Sequence, residues 1–183
     1  MNEPLEKIIQ VLDYGSKKEK IDMLESLTYV NAPQIINKII SKLDDSDIEV
    51  RGEAFSTLVL NNNKISRFLI DNLKSESNNI RGFSALILAN RKDLDAIPSI
   101  INLTKDSSSM VRSCALGALG YLKAKQAQQA IHDCLYDSDL DVKKSALKAA
   151  IDTGYKISEK EINEITKDSD DEISSLLIQA KEI

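Results

Sequence analysis

The sequence predicts an all-α protein, a right-handed α-solenoid of about six antiparallel helix hairpins. Three observations carry that expectation. An acidic hexad, Asp45-Ser46-Asp47-Ile48-Glu49-Val50, returns from Asp137 to Val142 and from Asp168 to Ile173, with weaker copies from Ser75 to Ile80 and from Asp106 to Val111. The copies start at 45, 75, 106, 137 and 168, and steps of 30 or 31 residues mark stacked structural repeats. Around each copy, apolar residues recur three and four apart, the spacing of one buried helical face.

Counting outward from the acidic turns places helices near 3–14, 17–30, 32–43, 47–60, 64–74, 78–90, 93–104, 108–122, 124–136, 139–153, 158–167 and 170–182, all within one repeat domain over 1–183. The most legible unit runs from Ala124 to Tyr155. Its first helix carries the stripe Ala127, Ala130, Ile131, Cys134 and Leu135, and its second carries Val142, Ala146, Ala149 and Ala150. Gly154 stands where a helix C-terminus takes a left-handed residue. Earlier copies repeat the second stripe as Val50, Ala54, Leu58, as Ile80, Ser84, Leu88, and as Val111, Ala115, Ala118, Leu119. Small residues at its centre allow two helices to approach closely. The first and last units are atypical, as solenoid ends must be: Tyr14 holds the turn place and Lys20 the ladder place of the first, and Ser174 the ladder place of the last. Asn61-Asn62-Asn63 reads as a plain loop.

The acidic turns have their own logic. Ser46 with Glu49, Ser138 with Asp141 and Ser169 with Glu172 have capping-box spacing or its Asp variant, with either the Ser or the following Asp as the cap. The D-x-D-x-[DE] pattern also resembles the opening of a calcium loop. That loop needs Gly at its sixth place and Glu at its twelfth, where Val50 and Ser56, Val142 and Lys148, and Ile173 and Gln179 stand. Directly after the branched apolar residue comes a cation, Arg51, Arg81, Arg112 or Lys143. Stacking aligns these into a row, and Asp45, Asp106 and Asp137, six residues earlier, are set to pair with the same or the adjacent turn. The row reads as a structural ladder.

Composition narrows the function. With 42% apolar and 29% charged residues in 183, the chain is apolar enough to fold. A net charge of -5 argues against non-specific binding to nucleic acid or anionic membranes. Residues 1–6 show no basic-then-apolar leader, and no apolar run nears the roughly 20 residues that span a bilayer. The expectation is a soluble, cytoplasmic monomer. Cys114 and Cys134 sit in apolar helical patterns and read as structural thiols without a disulfide framework. A single histidine, His132, with no zinc spacing, phosphate loop or nucleophile elbow, points away from an enzyme and from any cofactor or metal.

A hairpin of about 31 residues with D-x-D-x-x-V-R-x-x-A-x-x-A-L in its second helix resembles the short HEAT-like repeats of the phycobilisome-lyase type. Asp106 to Leu119 and Asp137 to Ala150 match best, whereas Ser75, Ser84 and Lys143 depart mildly. The resemblance implies a scaffold that binds proteins, since a minority of such proteins carry chemistry. Relatives resembling deoxyhypusine hydroxylase need several His-Glu pairs as iron ligands, and glycosylase relatives need a basic, aromatic face; neither fits this chain. The resemblance also implies that each second helix lines the concave side. Helical geometry then places Gly52, Ser56, Gly82, Leu86, Ser113, Gly117, Lys144 and Lys148 on it, flanked by Glu53, Phe83, Cys114 and Ser145. This is a shallow groove with a basic end at Lys144 and Lys148, suited to an acidic or amphipathic peptide. The expected function is a non-enzymatic scaffold or adaptor that binds a protein or peptide there. The alternative is an accessory, bilin-lyase-like subunit of a modifying enzyme whose active groups come from a partner.

Overall fold

A computed structural model describes residues 3–166 and 170–181, and twelve α-helices and no strand occur among them. Packing divides the chain into two compact units, Met1–Arg91 and Lys92–Ile183. The first unit contains α1 (Glu3–Tyr14), α2 (Lys17–Ser26), α3 (Pro33–Ser41), α4 (Ile48–Leu60), α5 (Ser66–Asn72) and α6 (Asn78–Asn90). Each odd helix packs on its successor. The odd helices α1, α3 and α5 form one layer, and α2, α4 and α6 form the other. The second unit contains α7 (Ile97–Leu103), α8 (Ser109–Tyr121), α9 (Gln128–Cys134), α10 (Leu140–Thr153), α11 (Glu159–Ile165) and α12 (Asp171–Lys181). Here α7 packs on α8, α9 packs on α10, and α10 lies between α8 and α12.

The second-helix stripes are the core. Val50, Ala54 and Leu58 in the first unit, and Val111, Ala115, Leu119, Val142, Ala146 and Ala150 in the second, are fully buried. Small residues set the helix spacing there. A Cβ at Gly120 would lie 3.2 Å from the Ala149 Cα and 2.9 Å from Asp152 Oδ2, so α8 and α10 meet almost backbone to backbone. Three of the expected helices taper into 3-10 turns, Lys42–Asp44 after α3, Leu94–Ala96 before α7 and Lys125–Ala127 before α9, where i→i+3 bonding tightens a terminal turn.

Helix ends follow the repeat as well. Gly154 closes α10 in the left-handed region at φ 71, and Lys92 and Lys123, at φ 59 and 50, hold the same place after α6 and α8. The stretch 61–63 is more than the plain loop expected from its composition. Asn61 is buried, donates from Nδ2 to the Val30 carbonyl at 2.8 Å and accepts the Asn63 N–H at 2.9 Å. Asn63 Nδ2 donates to the Tyr29 carbonyl at 3.0 Å. The Arg91 guanidinium then binds the carbonyls of Leu58, Asn61 and Asn63. Carbonyls orphaned at the C-terminus of α4 are thus satisfied by side chains from neighbouring segments.

Among the described residues one buried side-chain polar atom is left without a partner, the hydroxyl of Ser84, at the place held by Ala54, Ala115 and Ala146 in other copies. Ser84→Ala is therefore expected to stabilise the protein by about 1 kcal/mol, and Asn61→Ala to destabilise it by about 2 kcal/mol, because the latter leaves buried main-chain groups unpaired. Urea denaturation of the two variants checks both signs. A destabilised Ser84→Ala variant would show that the hydroxyl is solvated or bonded in solution.

Candidate functional site

The acidic turn positions the side chains that follow it. Its first residue closes a small side-chain turn: Asp45 accepts the N–H of Asp47 at 3.1 Å, Asp106 that of Ser108 at 2.9 Å and Asp137 that of Asp139 at 2.9 Å, and the Ser75 hydroxyl accepts from Ser77 at 3.3 Å. Its third residue is the helix cap. Asp47 accepts from the amides of Glu49 and Val50, Asp139 from those of Asp141 and Val142, and Ser77 from that of Ile80. The boxes expected between Ser46 and Glu49 and between Ser138 and Asp141 are not formed, because the neighbouring carboxylate reaches two amides at once. Complete capping boxes stand instead at Ser16–Glu19 and Ser158–Glu161. Ser169 and Asp168 lie outside the described residues.

The cations of the ladder clamp this turn from above. Nη1 of Arg51 binds the carbonyls of Asp45 and Ser46 at 2.7 and 3.2 Å, that of Arg81 the carbonyls of Ser75 and Glu76 at 2.7 and 3.0 Å, and that of Arg112 the carbonyls of Asp106 and Ser107 at 2.9 and 3.3 Å. Within each unit a second bond reaches the next turn. Lys20 meets Asp45 at 2.9 Å, and Arg112 grips both oxygens of Asp137 at 2.8 Å with Nε and Nη2. Burial pushes the Asp137 carboxyl up. The bonds from Arg112 and the Asp139 amide outweigh it and hold the group below its ordinary 3.8. Asp45 is lowered in the same way: burial raises it, while the Asp47 amide, Lys20 and Lys42 prevail. For Lys143 the residue at the equivalent place in the sequence, Asp168, lies outside the described residues.

The basic end expected at Lys144 and Lys148 is offset within the second unit. Lys144 pairs with Asp170 at 2.7 Å and Glu172 at 2.9 Å, and Lys148 pairs with Glu172 at 2.9 Å. These acids belong to the last copy of the turn, brought alongside by packing of α12 on α10. Ser113 is half-buried and Gly117 exposed on α8, whereas Gly82 is buried and lines no open face.

An open apolar cleft does form in the first unit, between α4 and α6. Ile48, Arg51, Gly52 and Phe55 face Phe83 and Leu86 across about 260 Å³. Phe55 meets Phe83 edge to face at a centroid distance of 6.4 Å, and Ile48 is 71% exposed. Of the residues expected on a groove, Gly52, Phe83 and Leu86 line this cleft. Glu53 and Ser56 lie on the same helix, half-buried, where Glu53 accepts from the Thr57 hydroxyl at 3.4 Å. Ile48 and Phe55 escaped the sequence reading. Their signal was a second stripe on α4, Ile48, Arg51, Gly52, Phe55, running beside the core stripe at the same helical spacing.

The lone histidine, half-exposed His132, lies 3.3 Å from Glu161 and 3.4 Å from Asp133, against the rings of Tyr136 and Tyr155. Tyr155 donates to Glu161 at 3.0 Å, and burial together with that carboxylate pushes its hydroxyl up to about 12. Burial raises the Cys114 thiol and takes that of Cys134 up to about 11, which makes both weak nucleophiles. Among the described residues no helix is long and apolar enough to cross a membrane.

Comparison with known proteins agrees with this geometry. A family model for HEAT repeats matches residues 66–151, and one for the HEAT repeat associated with sister chromatid cohesion matches 29–52. No curated protein sequence matches the chain. Among solved structures, the complex of CpcE and CpcF of phycocyanin lyase from Nostoc sp. PCC7120 aligns over 79% of this chain and 96% of that chain, with TM-score 0.58 and 16% identity. A designed armadillo repeat protein in complex with the peptide (KR)4 aligns over 97% and 98%, with TM-score 0.56 and 18% identity. A structure described under TOG–tubulin binding specificity aligns over 100% and 82%, with TM-score 0.57 and 14% identity. At these identities the likeness establishes an armadillo/HEAT solenoid fold.

The ladder makes stability acid-sensitive. Asp45 and Asp137 have lowered folded pKa values, so their stabilisation is complete above the ordinary carboxylate value and is lost as pH falls through the folded one. Thermal unfolding between neutral pH and about pH 2 should lose stability below about pH 4, and Asp137→Asn should flatten part of that slope while costing about 2 kcal/mol at neutral pH. An acid slope unchanged in Asp137→Asn would separate the ladder from the pH dependence.

Proposed function

We propose that this chain, a HEAT-repeat protein, is a non-enzymatic scaffold or adaptor that holds another protein through the second helices of its hairpins. These helices line the concave side in stacks of this kind, and the cleft between α4 and α6 is the anchoring point. One observation carries the reading. The core stripes, the caps and the ladder arginines are engaged inside the fold, whereas Ile48, Phe55, Phe83 and Leu86 leave an apolar surface open to water. Aromatic walls of this kind suit a buried anchor residue, and seating one large apolar side chain there is worth about 1.5–3 kcal/mol.

Similar folds support the same use. The designed armadillo protein is in complex with a peptide, CpcE is in complex with CpcF, and the third structure concerns tubulin binding. An accessory subunit of a modifying enzyme would dock its partner by the same surface, and the phycocyanin-lyase likeness supports that reading through the shared fold. A cytoplasmic, monomeric protein without a cofactor fits the scaffold reading.

Affinity capture from the native source with the wild type and with Phe83→Ala tests the proposal. The variant is expected to lose about tenfold of a specific partner, as truncating an interface anchor does. Equal capture by a Phe83→Ala protein with unchanged helicity and unfolding midpoint would retire the cleft as the docking site.

A further inference from the structure

The cleft between α4 and α6 has a charged wall as well as apolar ones, and the charge follows from a break in the ladder. Where both partners lie in one unit, a ladder cation meets the Asp that opens the next turn, as Lys20 meets Asp45 and Arg112 meets Asp137. The residue that opens the turn after Arg51 is Ser75. Its hydroxyl serves the local turn by accepting from Ser77, and it brings no charge. The Arg51 guanidinium therefore holds two carbonyls through Nη1 alone, and among the described residues it meets no carboxylate within ion-pair distance. Nearby acids are occupied otherwise: Asp47 and Glu49 by Lys17, and Glu53 by the Thr57 hydroxyl. Arg51 also lines the cleft beside Phe55 and Phe83.

We infer that this cleft selects a peptide segment of the partner protein in which an Asp or Glu adjoins a Phe or Leu. The apolar side chain enters between Phe55 and Phe83, and the carboxylate takes the place on Arg51 that an Asp fills elsewhere in the ladder. The inference rests on the docking surface proposed above and adds its specificity. Charge complementarity favours the acidic segment, since a guanidinium at the edge of a low-polarity wall gains most from a carboxylate that can meet two of its N–H groups. A basic segment would bring a second positive charge against it.

Two substitutions isolate the parts of the claim. Gly52 is exposed, and a Cβ built there meets nothing within 4 Å, so Gly52→Leu fills the cleft without disturbing the packing of the helix. Ser75→Asp restores the carboxylate found at Asp45, Asp106 and Asp137, and so occupies Arg51 from within the chain. Nitrogen-15 NMR titration with capped Gly-Glu-Phe-Leu-Gly and Gly-Gln-Phe-Leu-Gly peptides reads both. The Glu peptide should shift the amides of Arg51, Phe55, Phe83 and Leu86 and bind about fivefold tighter than the Gln peptide, the size of a partly buried charge-assisted bond. Ser75→Asp should bring the two peptides to similar affinity, and Gly52→Leu should abolish binding of both. Equal affinity of the two peptides for the wild type, binding by neither, or unaltered binding to Gly52→Leu overturns the inference. So does a concentration-dependent shift of the same amides without peptide, which would assign the cleft to a second copy of the chain. If the peptides fail while Phe83→Ala still loses the captured partner, the acidic specificity falls and the docking surface stands.

Discussion

A hairpin of two short helices cannot dry its own apolar surface, and the rest of this structure depends on that constraint. Within each unit, α2, α4, α8 and α10 each place one stripe against their own first helix and against the next second helix, so that Val50, Ala54 and Leu58, or Val142, Ala146 and Ala150, reach complete burial. Close approach of the stacked helices needs small side chains at the centre of the stripe. Gly120 and Ala149 show how little room remains. A unit removed from its neighbours would expose this stripe, which makes each hairpin's stability a property of the stack.

The acidic turns and arginines maintain the spacing that the stripes require. The copies at Asp45, Ser75 and Asp137 cap the following helix with the side chain of their third residue, and in the Arg51, Arg81 and Arg112 copies two carbonyls of the turn are held by a guanidinium from the helix that follows it. The bond from Arg112 to Asp137 carries the same device one repeat further. Most of the positive charge on this face is absorbed internally, Lys144 and Lys148 included. The surface is therefore distinguished by where this pattern lapses. The cleft in the first unit is walled by an apolar stripe displaced from the core, and Ser75, in place of an aspartate, brings no carboxylate to the Arg51 at its edge.

Periodicity made the helices legible to within a few residues because the 3.6-residue repeat of burial is written directly into the order of apolar and polar residues. The caps were half legible. Ser46 and Asp47 both satisfy the local pattern, and only the backbone geometry shows that the Asp47 carboxylate reaches the helix amides. Asn61 and Asn63 looked like loop filler because their partners, Tyr29, Val30 and Arg91, lie about thirty residues away. Lys144 and Lys148 misled for the same reason, since the acids that occupy them belong to a different repeat.

The sequence alone determined the repeat length, the order of helices, the core stripe and the presence of a cation after every turn but the last, all properties of residues close along the chain. Which cations remain available, which apolar side chains face water and where two aromatic rings meet depended on side chains from different hairpins. Phe55 and Phe83 are neighbours because α4 lies on α6. Contacts between repeats are fixed by three-dimensional packing, to which the local order of residues contributes only the faces that must be covered.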